Sequence, residues 1–245
     1  MGDCGSYDLP QSPTQFLYPL INHIYMLYVV STPIGNLKDI THRAIETLKS
    51  VDLIACEDTR HSKILLDHYK IKTPRVSYHQ HAKVAKLDKL LSLLRDGKNI
   101  ALITNAGTPG ISDPGVKLIS EAIKNKIEIV PIPGPAAFLT ALSISGFDLK
   151  EFLFVGFLPK KKGRQKKLLA LSSEPRAIVL YESPYRIIKT LNDLLEFLGD
   201  REVVVCRELT KKFEEIYRGK ISEVLPKIKP KGEFTVIIKG KNGKK

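Results

Sequence analysis

Short apolar runs alternate with helix-spaced apolar positions along most of the chain. Beyond residue 25, runs such as LYVVST, VDLIAC, NIALIT and IEIVPI are rich in β-branched residues and predict buried strands. The segments between them place apolar residues three or four positions apart, which is typical of amphipathic helices. This alternation predicts a mainly parallel sheet covered by helices in the first half of the chain.

The pattern changes near residues 146–149, where GFDL follows a small-residue helix and a new series opens with FLFVGF. The later strands follow one another through short connections, which favours a mixed sheet with antiparallel pairs. We therefore predict an α/β protein of two α/β domains, residues 26–148 and 149–240. Residues 1–25 contain three prolines and little periodicity and predict a poorly ordered extension. We predict that residues 241–245 form a basic tail.

Charge and cysteine content narrow the possible functions. Lys and Arg number 39 against 26 Asp and Glu, and a formal charge of +13 favours a polyanionic partner such as RNA, although it also aids solubility. Cys4, Cys56 and Cys206 are far apart and lack metal-ligand spacing, so we predict neither a disulfide framework nor a metal site. The apolar stretch 16–30 is interrupted by Pro19 and Asn22, so we predict no signal peptide and no membrane span.

Polar or glycine-rich segments follow four of the five strands predicted for the first sheet. These segments are STPIGNLKD, CEDTRH, TNAGTPGISDPG and PIPGPAA. Because ligands of open parallel sheets bind beyond the carboxyl ends of the strands, the four segments predict one ligand site.

Each of these segments also has a purely structural interpretation. The glycines of TNAGTPGISDPG allow the backbone to approach a ligand, but the same loop is compatible with an ordinary turn into a helix capped by Asp113. The alanines of PIPGPAA suit either a ligand or close packing of a helix on the sheet. The charged residues of CEDTRH, among them Glu57 and Arg60, either bind substrate or form a structural network of ion pairs.

Two segments of the second half carry charge near the predicted boundary. The first, LPKKKGRQKK, is called here the basic segment (residues 158–167), and it is either a solvated loop or a contact for a phosphate backbone. The second, YESPYR, ends a predicted strand with a carboxylate, an aromatic ring and a cation.

Together these motifs carry a family resemblance that runs from about Met26 to Gly240. The motifs STPIGNLKDIT, LIACEDTRHS, NAGTPGISDPG, PIPGPAA, GFLPKKKGR, YESPYR, CRELTK and GEFTVII resemble the tetrapyrrole methylase superfamily. Within it, they are most similar to the group that methylates small-subunit ribosomal RNA. The resemblance implies a cytoplasmic, usually dimeric enzyme that binds S-adenosylmethionine in an interdomain cleft. It also implies methylation of the ribose 2′-hydroxyl of a cytidine in the decoding region.

The resemblance assigns cofactor-binding positions in three loops. The implied positions are Pro33, Ile34 and Gly35; Asn105, Ala106, Gly107, Thr108 and Pro109; and Pro135, Ala136 and Ala137. The group commonly has aspartate where this chain has Asn105, so one negative charge is missing. Many members also continue with a helical segment beyond the position of Lys245.

Transfer to a hydroxyl requires an in-line arrangement and a group that accepts or polarises the proton. We predict Glu182 and Glu57 for this role. Phosphate contacts are predicted at Arg60, Lys160, Lys161, Lys162, Arg164 and Arg186. Two alternatives stay open: a C-methyltransferase acting on a porphyrin-like ring, and a non-catalytic RNA-binding relative, which the change at Asn105 could signal.

Overall fold

The computed structural model describes residues 25–79 and 84–241. Within these segments each predicted strand and helix is present, with bounds that differ from the prediction by a few residues at most. The predicted extension lies outside the described residues except for Tyr25, and the predicted basic tail lies outside them except for Lys241.

The first sheet consists of five parallel strands, which confirms the predicted topology. They are β1 (Met26–Val30), β2 (Leu53–Cys56), β3 (Arg75–Ser77), β4 (Ile100–Ile103) and β5 (Glu128–Ile132), in the spatial order β3-β2-β4-β1-β5. All four residues of β4 are buried, because helices cover both faces of the sheet. Since the strands are parallel, the loops that follow them lie at one edge.

Four helices cover this sheet. Helices α1 (His42–Ser50) and α2 (Thr59–His68) pack on one face, and α3 (Val84–Arg95) and α4 (Val116–Lys124) pack on the other. The Thr41 side chain accepts a hydrogen bond from the Ala44 amide at 3.2 Å and caps α1.

The second sheet is mixed, as predicted. Its strands are β6 (Phe152–Phe157), β7 (Ala177–Glu182), β8 (Glu202–Arg207), β9 (Glu215–Lys220) and β10 (Phe234–Ile238), in the order β6-β7-β10-β8-β9. Strands β6 and β7 are parallel, whereas the other neighbours are antiparallel. Phe234 lies opposite both Glu182 and Arg207, so β10 starts at the edge where β7 and β8 end.

The remaining helices enclose the second sheet. Helices α6 (Arg164–Leu171), α7 (Ile187–Leu198) and α8 (Ile221–Val224) pack on one face, and α5 (Ala137–Ser143) packs on the other. Helix α7 follows a turn in which the Arg186 amide donates to the Ser183 carbonyl at 3.1 Å.

The chain passes from the first sheet to the second between residues 132 and 152. Helix α5 precedes the predicted boundary but shares an apolar cluster with the second sheet and with Ile34. The division into domains 26–148 and 149–240 therefore stays a prediction. No helix in 25–79 or 84–241 combines the length and apolar character needed to cross a membrane.

Candidate functional site

A cleft of about 420 Å³ lies between the two sheets. It is lined on one side by the loops after β1, β2, β4 and β5, and on the other by the ends of β6, β7 and β8 and the start of β10. The volume lies in the range that accommodates a small-molecule ligand. The four loops predicted to form one site therefore do converge.

The residues predicted to bind a cofactor divide into those that line the cleft and those that support it. The lining residues are Ile34, Asn105, Ala106, Gly107, Thr108, Ala136 and Ala137. The other four lie beside the cleft lining: Pro33 and Pro109 are buried, Gly35 is exposed near Thr210, and Pro135 accepts a hydrogen bond from Thr108. Binding by these residues stays a prediction.

Hydrogen bonds join three of the cleft loops. The backbones of Thr32 and Gly107 exchange two bonds of 2.9 and 3.0 Å, which connect the loops after β1 and β4. The Thr108 hydroxyl lies 2.9 Å from that of Ser31 and donates to the Pro135 carbonyl at 3.3 Å. These bonds hold the three loops together at the floor of the cleft.

Asn105 presents an unused acceptor in this floor. Its Oδ1 is buried and has no hydrogen-bond partner among the described residues. Its backbone amide donates to Glu57 Oε2 at 3.4 Å. Because a buried polar atom without a partner costs about 1–3 kcal/mol, this oxygen is suited to accept a hydrogen bond from a ligand.

Four carboxylates line the cleft, those of Glu57, Asp113, Glu182 and Glu233. Burial and the charges of Glu57 and Glu233 raise the pKa of Asp113 to about 7. Asp113 does not cap α4, because the N-cap residue is Gly115 and no side chain makes the capping bond. The interpretation of this loop as a turn capped by Asp113 is therefore wrong, and the acidic lining favours a cationic ligand.

The second-sheet wall contains residues that belong to the quoted motifs but were not predicted as site residues, among them Phe157, Tyr181 and Lys211. Burial raises the pKa of Tyr181 to about 12, so its hydroxyl stays protonated, and it accepts a hydrogen bond from the Phe138 amide. Burial alone would lower the pKa of Lys211, but hydrogen bonds to Glu233 and Glu208 raise it. Applying the rule of strand ends to the second sheet as well would have found these residues.

Glu182 lines the cleft, but its carboxylate is engaged within the protein. The side chain is fully buried; Oε1 accepts from the Ser183 amide at 2.8 Å, and Oε2 accepts from the Thr190 hydroxyl at 2.6 Å. Oε2 also lies 3.1 Å from the Arg186 guanidinium. These three contacts hold the Glu182 carboxylate in place within the protein, and its role as a base stays a prediction.

Arg164 and Arg186 also point inward. Arg164 is 7% exposed and donates to Asp193 at 2.7 Å, to Thr190 at 2.9 Å and to the Pro159 carbonyl at 3.1 Å. Arg186 donates to the Leu158 carbonyl at 2.6 Å in addition to its contact with Glu182. Partners on α7 and at Pro159 thus engage the guanidinium group of Arg164, and Glu182 and Leu158 engage that of Arg186. Contact of either arginine with RNA stays a prediction that this burial disfavours.

The other candidate cations face solvent. Lys160, Lys161 and Lys162 are exposed at the start of the basic segment. The Arg60 side chain is 90% exposed and lies 3.0 Å from Asp58, which also caps α2. Asp58 and Arg60 thus form an ion pair, whereas Glu57 faces the cleft. Contact of Arg60 with phosphate stays a prediction.

Comparison with known proteins agrees with this architecture. The family model of tetrapyrrole (corrin/porphyrin) methylases matches residues 26–225. Ribosomal RNA small subunit methyltransferase I of Thermotoga maritima is 47% identical over 218 residues, which cover 88% of this chain and 98% of that protein. The protein of the same name from Bacillus subtilis is 49% identical over 221 residues, covering 89% and 76% respectively.

Among solved structures, the cobalamin biosynthetic enzyme cobalt precorrin-4 methyltransferase CbiF aligns with a TM-score of 0.68. The alignment covers 90% of this chain and 98% of that chain at 18% identity, so it supports the fold alone. The match to the family model covers most of the chain, and the curated relatives are nearly half identical to it. The chain therefore belongs to the tetrapyrrole methylase family.

Proposed function

We propose that this chain transfers a methyl group from S-adenosylmethionine to a ribose 2′-hydroxyl of small-subunit ribosomal RNA. The observation that carries the proposal is the identity of 47–49% to relatives named ribosomal RNA small subunit methyltransferase I. The exposed lysines beside the cleft support an RNA substrate. A cytidine in the decoding region as target, an assembled subunit as substrate, a homodimer and a cytoplasmic location are further proposals that rest on the resemblance.

The cleft suits the cofactor of this family. S-adenosylmethionine supplies a methyl group on a positively charged sulfur. Glu57, Asp113 and Glu233 provide negative charge for a cation, and the unpaired Oδ1 of Asn105 provides an acceptor for an N–H or O–H group. Small side chains at Ala106, Gly107, Ala136 and Ala137 leave room for a flat ring system.

The chain's own residues would act mainly by positioning. The tied loops after β1, β4 and β5 would hold the cofactor in one orientation, which is the main requirement of an in-line transfer. Tyr181, protonated at neutral pH, can donate a hydrogen bond into the cleft. Lys211 joins Glu208 to Glu233 and so fixes the second-sheet wall.

Replacing Asn105 tests the cofactor site directly. We expect Asn105→Ala to raise the dissociation constant for S-adenosylmethionine about tenfold, because one buried hydrogen bond is lost. Titration calorimetry measures the constant. The control is Asn125→Ala at the end of α4, where the side chain bonds only to the Glu121 carbonyl, and the affinity should not change. Equal affinities for the two variants would contradict the assignment of Asn105.

The RNA surface is proposed to begin at the basic segment. Lys160, Lys161 and Lys162 are exposed. Two aromatic side chains near them are exposed as well. Phe157 precedes the lysines in sequence and lines the cleft, and Tyr185, which is 96% exposed, is next to Arg186, whose side chain bonds to the Leu158 carbonyl. Lysines contact phosphates, and exposed rings stack on unpaired bases, so this combination is typical of single-stranded RNA recognition.

Removing these three lysine charges should weaken RNA binding and its salt dependence. For the triple variant K160Q/K161Q/K162Q, we expect the slope of log affinity against log salt to fall by about 2, at about 0.7 for each lost phosphate contact. Fluorescence anisotropy with rRNA fragments measures the slope. The control K49Q/K70Q/K72Q removes the same charge from exposed positions at the opposite edge of the first sheet. If both triples change the slope equally, the basic segment is not the binding surface.

The proposal as a whole is tested by incubating the protein with unmethylated small subunits and labelled S-adenosylmethionine and then mapping 2′-O-methylation. Methylation at one ribose is the expected result. Parallel reactions with free rRNA and with a porphyrin-like substrate separate the alternatives. Methyl transfer only to the porphyrin-like ring would overturn the proposal. Failure to bind the cofactor in calorimetry would instead favour a non-catalytic RNA-binding protein.

A further inference from the structure

We propose that Asp113 is the general base of the methyl transfer, accepting the proton of the attacking hydroxyl. This inference rests on the proposed function, because it requires a hydroxyl substrate. The sequence predicts Glu182 and Glu57 for this role, and it is compatible with Asp113 as a helix cap.

The loop that carries Asp113 spans the cleft. Ser112 Oγ lies so close to β6 that a Cβ on Gly156 would approach it to 2.8 Å. Ser112 has a φ of 60°, a left-handed backbone conformation that residues other than glycine rarely adopt. Such strain persists where surrounding structure enforces it, and it is frequent at functional sites. The strained turn holds Asp113 in the cleft between the two sheets.

The carboxylate of Asp113 is free to act. No hydrogen bond or ion pair to a described residue stabilises its charge; instead, burial and the charges of Glu57 and Glu233 raise its pKa to about 7. Besides burial, the Asp113 charge also contributes to the raised pKa of Tyr181, whose hydroxyl therefore stays protonated. Lys211 on the same wall is paired with Glu208 and Glu233. A base whose pKa lies near the working pH is the most effective one.

In the proposed step, the hydroxyl proton moves to a carboxylate oxygen of Asp113 as the hydroxyl oxygen forms a bond to the methyl carbon. The carbon–sulfur bond breaks and its electron pair stays on sulfur. The products are the methylated ribose, a neutral thioether and a neutral Asp113, which later returns its proton to solvent. No other reactant is needed.

The test is the pH dependence of single-turnover methylation of small subunits by the wild type and by Asp113→Asn. For the wild type, we expect the rate to rise tenfold per pH unit up to the pKa of Asp113 in the complex, which the sulfonium charge lowers from the value of about 7 in the free protein, and then to level off. For Asp113→Asn, we expect this rise to disappear and the plateau rate to fall about 10²–10⁴-fold. The variant Glu57→Gln should retain the rise with a lower midpoint, since removal of the neighbouring charge lowers the pKa of Asp113.

Two measurements independent of turnover accompany the test. A carboxyl-carbon NMR signal that titrates near pH 7 should be present in the wild type and absent from Asp113→Asn. Thermal unfolding at pH 8 should show Asp113→Asn at least as stable as the wild type, because the variant buries no charge. Absence of methylation by the wild type would defeat the proposed function, whereas an active wild type whose pH profile survives in Asp113→Asn would overturn this inference alone.

Discussion

Replacing Arg164 with methionine should lower the free energy of unfolding by about 3 kcal/mol, near the lower end of the cost of breaking a buried ion pair. The Arg164 guanidinium connects Asp193 and Thr190 on α7, and Thr190 in turn donates to the buried Glu182 at the end of β7. Without the guanidinium, Asp193 keeps only the exposed Lys189, whose Nζ lies 3.2 Å away. The remaining buried polar groups would lose their partner, which is the source of the cost.

Thermal unfolding measures this loss, which corresponds to a decrease in Tm of about 6–12 °C for a chain of this size. The matched control is Lys161→Met, three residues earlier on the exposed part of the basic segment. We expect the control to keep its Tm within about 1 °C, as surface substitutions usually do, and to weaken RNA binding. If Arg164→Met instead kept its stability and lost RNA affinity, Arg164 would be an RNA contact after all.

This contrast marks what the sequence could and could not predict. The alternation of strand-like and helix-like segments was sufficient to predict both sheets. Parallel strands also bring the loops that follow them to one edge, so the shared position of those loops could be predicted. The sequence could not predict whether a charged side chain points into the protein or towards solvent. Arg164 and Lys161 have the same charge in the same segment, and only the fold places Asp193, 29 residues later, against the first of them.

The position of Asp113 in the cleft could not be predicted from the sequence either. An Asp-Pro pair before an apolar helical pattern normally indicates a capped helix start. Here α4 begins one residue beyond Gly115, which has a φ of 130°. Asp113 makes no capping bond and lies in the cleft with Glu57 and Glu233, which come from the loops after β2 and before β10. Local sequence carries no information about these distant carboxylates.

Gly115→Ala should therefore affect both stability and activity. The φ of 130° is unfavourable for alanine, and the added Cβ would lie 2.9 Å from Leu102 Cδ2, in the fully buried strand β4. We expect a loss of about 3 kcal/mol from backbone strain together with overpacking. Relief of the strain would shift the preceding turn and displace Asp113, and a displacement of about 1 Å is enough to lower a rate about 100-fold.

Gly110→Ala in the same loop provides the control. Its φ is 82°, but an added Cβ would meet Ile119 and Val116 at ordinary distances of 3.5 and 3.8 Å, so the cost should be about 1 kcal/mol. Chemical denaturation and single-turnover rates measure the two effects separately. Gly115→Ala should show a slower reaction at saturating cofactor even at temperatures where it is fully folded. If its rate there equals that of Gly110→Ala, the conformation at Gly115 supports the fold but does not position Asp113.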